Sequence, residues 1–468
     1  MLEKRCSLKG KLKWDMLPII FVLAWPTMLE QLLQTAVQYI DTTMVGSLGT
    51  QATAAVGSTT TVNWLIGSSV SAVGVGFLAY ISQAYGKGDK ESAKKASAQS
   101  VLAVLILGAF FTALTLSLAR FVPIWMQVDP DIQELTAKYF FILYLPMLPR
   151  CASIIFGTIL RAVGDTKTPM RVGVLVNIIN VVLNFFFIYP TREISLRGRV
   201  LTIYGTGWGV IGAAIASAVS FLVGGILITV VLLCHKDISP IGYSLRPDLA
   251  VLRPCLKVAF PNMLQRFGTS LGYVAFASMI NSLGDVSTAA HTIANTVESA
   301  FYIPGYGMQT AAATLAGNAV GACDSQRMRD LARMIIFIEV ILMIISGGLL
   351  FAFAPQMMKL FSKSNEVIFI GSVVLRMVAI SEPFYGVSIV MEGMLQGAGK
   401  TMMPFIFNII GMWGIRIIAT FICTQIFSFG LVGAWACMIA HNLWLFAMFL
   451  LYYLRGKWNP LLRNEVVV

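Results

Sequence analysis

The sequence predicts an all-α membrane protein of twelve transmembrane helices, arranged as two six-helix lobes that repeat one another. Three observations predict it. Of 468 residues, 57% are hydrophobic and only 12% charged, with a mean hydropathy of +0.78; a soluble chain of this length needs far more charge to cover its surface. Apolar runs of about 20 residues, the length that crosses a bilayer as a helix, recur from end to end, as in "SVLAVLILGAFFTALTLSLA" and "MIIFIEVILMIISGGLLFAFA". Finally, the chain matches itself at an offset of 235 residues.

Taken in order, the spans are expected near 16–40, 53–83, 96–120, 133–156, 168–189, 208–234, 254–282, 287–319, 330–353, 366–396, 402–425 and 430–454. The opening "MLEKRCSLKGKLKW" is basic, and the apolar stretch after it runs far beyond a signal-peptide core, so no cleavable signal is expected. With the N-terminus in the cytoplasm, alternate loops collect the cations: Lys4, Arg5, Lys9, Lys11 and Lys13, then Lys87, Lys90, Lys94 and Lys95. Arg161, Lys167, Arg171, Lys236, Arg246, Arg253, Arg327, Arg329, Lys400, Arg455, Lys457 and Arg463 continue the series on that side. The opposite side has acidic "DPDIQE" and nearly uncharged "GSLGTQATAA"; "TREISLRGR" is its exception. This is the positive-inside bias, and it places both termini in the cytoplasm of a multi-pass plasma (inner) membrane protein. The net charge of +12 is therefore a topology signal and does not point to nucleic acid.

The repeat is gapless over most of each half. "WPTMLEQ" at 25 answers "FPNMLQR" at 260, "MVGSLGTQATAA" at 44 answers "MINSLGDVSTAA" at 279, and "ILRAVGDTKTP" at 159 answers "MLQGAGKTMMP" at 394. Register changes only later, where "VIGAA" at 210 meets "LVGAW" at 431, so about 14 extra residues fall in "TREISLRGRVLTIYGTG". Six spans per unit, an even number, make parallel repeats related by an axis along the membrane normal. The expected organisation is an N-terminal lobe over 1–235, a cytoplasmic linker over 236–253 and a C-terminal lobe over 254–468. Two such bundles around a central cleft, rocking to expose it to alternate sides, is an architecture for transport.

Seven scattered cysteines without a CxxC give neither a disulfide framework nor a zinc site, and His235, His291 and His441 share no ligand spacing. No Walker loop, GxSxG or HExxH is present. An enzyme is not expected, and transport has to be coupled to something other than ATP.

Carboxylates and amides inside spans are functional hypotheses by default, because they must be paired, protonated or bound to a cation. Asp41 lies deep in the first span, and its repeat counterpart is Phe276. In the fifth span "VNIINVVLN" sets Asn177, Asn180 and Asn184 on one helical face, against apolar Met412, Ile415 and Ala419 in the second half. Polar residues are thus expected to concentrate in the N-terminal lobe. Glu30, about three turns from Asp41 on the same face, is expected at the cytoplasmic entrance of the cleft, or else paired with Arg266. Glu298 in the eighth span and its counterpart Asn63 are expected to face each other across the cleft and to contact cationic substrate. Glu339 and Arg376 read as members of buried pairs, Arg416 as a charge partner and Glu392 as structural. Pro26, Pro261, "VGVG" (73–76) and "IPGYG" (303–307) mark places where a span can bend.

A proline early in the first span, "DTTMVGSLG…AAVG", "ILRAVGDTKTPM", "NVVLN" and the C-terminal "GLVGAW" together resemble the multidrug and toxic compound extrusion (MATE) transporters over essentially the whole chain. The resemblance implies a two-lobe antiporter, here expected to be a monomer, that exports organic, mostly cationic compounds against a Na⁺ or H⁺ gradient. It implies a cation site in the N-terminal lobe at Asp41, Asn180, Asn184 and Ser217, with Na⁺ as a candidate coupling ion and no other cofactor. Asn184 departs from the aspartate common in the family, leaving one carboxylate beside neutral oxygens, which suits Na⁺ or a single proton-carrying acid. Thr269 and Tyr385 stand roughly where the NorM-like branch has carboxylates, which argues against a C-lobe cation site of that type. A lipid-precursor flippase of the same superfamily is the alternative; it would call for a more cationic cleft.

Overall fold

The computed structural model describes residues 13–196 and 199–462. Lys4, Arg5, Lys9, Lys11 and Arg463, which entered the loop-charge argument, lie outside the described residues. The N-lobe comprises α1 (Leu17–Gly46), α2 (Thr50–Lys87), α3 (Lys90–Leu118), the short α4 (Val122–Trp125), α5 (Pro130–Tyr144), α6 (Met147–Ala162), α7 (Lys167–Ile188) and α8 (Gly209–Cys234). The C-lobe comprises α9 (Leu249–Asn281), α10 (Asp285–Phe301), α11 (Ile303–Gly321), α12 (Ser325–Phe361), α13 (Asn365–Gly397), α14 (Met402–Ile409), α15 (Ile418–Phe421) and α16 (Gly430–Leu454). With α5–α6, α10–α11 and α14–α15 each forming one rod, the twelve expected spans are present. Among the described residues nine helices are individually long and apolar enough to cross a bilayer, and α5 with α6, bent by 50°, makes a tenth. The other two rods, α9 and α10–α11, are the repeat counterparts of α1 and α2.

The duplication is written into the turns. Left-handed backbone recurs at equivalent positions: Gly49 (φ 113°) and Gly284 (96°), Gly88 (81°) and Cys323 (55°), Gly164 (88°) and Gly399 (75°). Only glycine adopts such angles without a Cβ penalty, so Cys323 is the strained member. Asp89 and Asp324 follow as matched N-caps, accepting from the Ser92 and Arg327 amides at 2.9 and 2.8 Å. The bonds from Ser92 hold the Asp89 carboxyl below the usual carboxylate range.

The extra residues of the first half form an antiparallel hairpin, β1 (Pro190–Leu196) with β2 (Arg199–Thr206), pairing Arg192 with Ile203. The insertion was legible in the register break, but its strands depart from an all-helical expectation. The linker between lobes runs without helix from His235 to Asp248. It docks on α3, where the Gln99 side chain donates to the Arg246 carbonyl (2.9 Å) and accepts from the Asp248 amide (3.0 Å).

Of the expected bending points, "VGVG" lies inside an unbroken α2. Its glycines serve close packing: a Cβ on Gly74 would press on Thr158 Oγ1 at 3.3 Å, and one on Gly76 would strike the Cys255 carbonyl of the other lobe. The "IPGYG" expectation holds better, since the eighth span breaks at Tyr302 and α11 restarts with Pro304 in its first turn. Pro26 and Pro261 sit within continuous α1 and α9.

The lobes meet along a seam built from α1, α2, α9 and α11, near the ends that carry the basic loops. Thr27 Oγ1 donates to the Gly307 carbonyl (3.0 Å), Gln83 Nε2 to that of Gly397 (2.9 Å) and Thr314 Oγ1 to that of Arg161 (3.0 Å). At its centre the pseudo-two-fold is explicit: a Cβ on Gly86 would overlap the Asn318 carbonyl, and one on Gly321 would overlap the Gln83 carbonyl. Ile20, Leu23 and Ala24 of α1 belong to the C-lobe core. Toward the other end Leu32, Trp64, Leu271 and Tyr273 are exposed, and the Tyr39 hydroxyl donates across the lobes to the Thr296 carbonyl at 3.2 Å.

Candidate cation site and cleft

Helix α7 lies between α1 and α8, so its amide stripe is pressed against both. Asn180 and Asn184 are 6% and 1% exposed. Asn184 Nδ2 donates to Asp41 Oδ1 at 2.6 Å and to Asn180 Oδ1 at 3.1 Å, and Asn180 Nδ2 reaches Ser217 Oγ at 3.2 Å. Asp41, Asn180, Asn184 and Ser217, which are spread over 177 positions of sequence, therefore form one connected group. Asn177 does not join it: this half-buried residue has no hydrogen bond to any of the four. The fifth member of the expected set lies about a turn too far along the helix.

Two features bear on what the group can hold. Asn184 Oδ1 is buried without a partner, a neutral oxygen available to a cation. The end of the Asn180 amide nearer Asp41 lies 2.9 and 3.1 Å from the two carboxylate oxygens. With nitrogen there, it donates to an ionised Asp41 and its oxygen accepts from the Ser217 hydroxyl (3.2 Å). With oxygen there, two acceptors face one another, an arrangement stable only with a proton on Asp41 or a cation between them.

The expected substrate contacts fare differently. Glu30 is not a free charge: Arg161 Nη2 donates to both its oxygens at 2.6 Å, so its partner is Arg161 and not the expected Arg266. Asn63 accepts from Arg150 Nη2 (2.7 Å) and the Tyr144 hydroxyl (3.2 Å) within its own lobe, while Glu298 is 6% exposed inside the C-lobe. Both side chains are turned into their lobes, so the expected face-to-face pair across the cleft is not formed.

The expectation that polar residues concentrate in the N-lobe is also corrected. Gln265, Glu298, Glu339, Glu382, Gln396 and His441 are all buried in the C-lobe. Glu339 is not paired with Arg376, which is exposed and donates to the Phe351 carbonyl at 3.4 Å. Both Glu339 oxygens are buried without partners, in space left by Gly305 and Gly386, where a Cβ would lie 2.8 and 2.7 Å from Oε1. Arg416 stacks over Phe276 and Tyr273, 4.1 and 4.9 Å from the ring centroids, and donates to Met438 Sδ at 3.0 Å. Each of these partners comes from another helix at long separation. The one sequence signal for the Glu30–Arg161 pair was that its repeat counterparts, Gln265 and Gln396, are both neutral.

An apolar pocket of about 230 Å³ is lined by Ile66, Phe111, Leu114 and Phe140 of the N-lobe and by Phe267 of the C-lobe.

Comparison with known proteins agrees with this architecture. The chain is 27% identical to the probable multidrug resistance protein NorM of Thermotoga maritima, over 93% of this chain and 92% of that protein. It is 25% identical to multidrug and toxin extrusion protein 1 of Homo sapiens, over 94% and 75% of the two chains. Its fold superposes on the crystal structure of MATE in complex with MaL6 with a TM-score of 0.88 at 23% identity, covering 98% of this chain and 99% of that one. An outward-facing multidrug resistance MATE family transporter of the MOP superfamily superposes with a TM-score of 0.87 at 24% identity, again over 98% and 99%. At those identities the two structures speak for the fold alone. A model of the MatE family matches residues 26–186 and again 261–422, once on each repeat unit, and the chain belongs to the MatE family.

Proposed function

We propose that the protein is a secondary active exporter of lipophilic, mostly cationic organic compounds, driven by entry of Na⁺ or H⁺ at Asp41. The names of its relatives support multidrug efflux. The observation that carries the coupling is the group around Asp41: one carboxylate, two amides and a hydroxyl drawn from three helices of one lobe, with a buried acceptor to spare.

In this reading the basic ends are cytoplasmic and the glycine seam closes the cleft on that side, so the conformation described faces outward. A cation or proton arriving from outside neutralises Asp41, and the Asn180 amide presents its oxygen. Neutralisation removes the cost of carrying an uncompensated charge through the change of access. The lobes then rock, the seam parts, and release to the cytoplasm returns Asp41 to its ionised, amide-bonded state while substrate is taken up. The carboxylate is kept in this apolar helix because its charge must be alternately present and cancelled. The protein is placed in the plasma membrane, acting as a monomer.

The test is efflux of a cationic dye from proteoliposomes under a Na⁺ gradient or an H⁺ gradient imposed separately. Export is expected under one of them and is expected to disappear in Asp41→Asn. Dye movement that ignores both gradients, or that persists at the wild-type rate in the variant, removes the coupling role.

A further inference from the structure

The C-lobe contains a cavity of about 120 Å³, lined by Gln265, Arg266, Tyr306, Tyr385, Glu392 and His441 among others, together with the exposed Trp64 of α2. None of the residues of the Asp41 group lines it. One wall is a fixed carboxylate. Glu392 Oε1 accepts from Gln265 Nε2 and Gln396 Nε2, both at 3.0 Å, and Oε2 accepts from Asn408 Nδ2 at 3.3 Å. Amides on three helices thus hold it. Arg266 shares the same cavity and lies within electrostatic reach of Glu392. Its Nε donates to Asn262 Oδ1 at 2.9 Å, and among the described residues it makes no direct ion pair. Two opposite charges therefore face one cavity without meeting.

The remaining lining is also built for polar contact. Thr269 Oγ1 and both ring nitrogens of His441 are buried without partners, and His441 is only 4% exposed. Buried polar atoms without partners are costly to leave so, and a ligand that bonds them removes that cost. The His441 ring has room because residue 411 is glycine: a Cβ there would lie 2.8 Å from Nε2. Gly411 belongs to a π-helical stretch, Ile410–Ile417, an irregularity frequent at functional sites because it re-aims the side chains around it. Tyr273, Tyr306 and Tyr385 complete the wall with aromatic surface.

From this juxtaposition we infer that the C-lobe cavity is a second binding site, which takes a small zwitterionic organic molecule with its anionic group on Arg266 and its cationic group toward Glu392 and the tyrosines. A guanidinium is the preferred partner of a carboxylate, and aromatic faces beside a carboxylate favour an ammonium. A cation alone would add positive charge beside Arg266 and leave it unpaired, while an anion alone would approach Glu392. A molecule with both charges satisfies both walls at no net charge. The cavity is smaller than the roughly 300–1,000 Å³ of drug-sized pockets, which points to a ligand of amino-acid size. The inference stands apart from the Asp41 reading, since it uses none of that group.

Calorimetric titration of the full chain in lipid nanodiscs tests it, with glycine betaine as the zwitterion and tetramethylammonium and acetate as single-charge controls. Betaine is expected to bind at least ~10-fold more tightly than either control. Arg266→Gln, and independently Gly411→Ala, whose Cβ would displace the cavity-lining His441 ring, are each expected to weaken betaine at least ~10-fold. Gly57→Ala, where a Cβ meets nothing within 4 Å, is expected to leave betaine binding unchanged. Should one cavity variant fail to fold, as judged by its thermal transition, the other and the two controls still decide. Betaine binding no tighter than acetate or tetramethylammonium, or unaffected by the folded cavity variants, or lost equally in Gly57→Ala, overturns the assignment.

Discussion

Adding one methyl group at Gly86 should shift the balance between the two access states. In the conformation described, a Cβ at 86 overlaps the main-chain carbonyl of Asn318, and the equivalent atom at 321 overlaps that of Gln83. A carbonyl within a helix cannot rotate aside as a side-chain tip can, so the helices must separate. Overpacking of this kind costs about 1–3 kcal/mol, paid only in the closed-seam state. Gly86→Ala should therefore favour the seam-open state by about 5–150-fold, and Gly86→Ala with Gly321→Ala by more. Cys255 is a native reporter, because it is 3% exposed and its carbonyl packs at Gly76 within the same seam. With the other six cysteines replaced by serine, a charged, impermeant thiol reagent applied from the basic side should label Cys255 faster in Gly86→Ala, by a factor in that range. Gly57→Ala, where a Cβ meets nothing within 4 Å, is the silent control. Unchanged Cys255 labelling in Gly86→Ala, or equal acceleration in Gly57→Ala, would refute the seam as the gate.

Other outcomes follow from the same geometry. Asp41→Asn should fold with a thermal midpoint close to wild type yet lose gradient-driven export, since an amide keeps hydrogen bonds but cannot exchange its charge; retained export refutes it. Asn184→Asp places a second acid 2.6 Å from Asp41; like charges at that distance favour retention of one proton, so the pH dependence of export should move to higher pH, and an unchanged profile counts against the site. Glu30→Gln or Arg161→Gln alone strands a half-buried charge and should destabilise by an amount between the ~1 kcal/mol of an exposed pair and the ~3–5 kcal/mol of a buried one. The double variant copies the C-lobe pair Gln265 and Gln396 and should recover part of the loss; additive losses in a double-mutant cycle would show no coupling. A chain whose single cysteine is Cys234 should resist impermeant reagent added outside intact cells, and ready labelling there would invert the topology.

The sequence by itself determined the membrane class, the twelve spans, the duplication and the place of the insertion, because each depends on local or periodic properties of the chain. Hydropathy needs only a window of about 20 residues, and the repeat needs only the chain compared with itself. It also picked out residues that the fold brings together around Asp41. Asn180 and Asn184 are one turn apart on a helix, so their shared face follows from the helical period, and an aspartate in an apolar span has few innocent explanations. Tertiary structure decided where the other charges go. Whether Glu30 meets substrate or Arg161, 131 residues away, depends on which faces of α1 and α6 turn toward each other, and no period within either helix encodes that. The same holds for Asn63 with Arg150, for Glu298 turned inward, and for the C-lobe cavity, whose walls come from six spans. In an apolar medium a polar side chain must find a partner, and the sequence states that demand. Which partner meets it is fixed by helix rotation and by the close approach of backbones at glycines such as Gly86 and Gly321, where the absence of a side chain lets the two lobes touch.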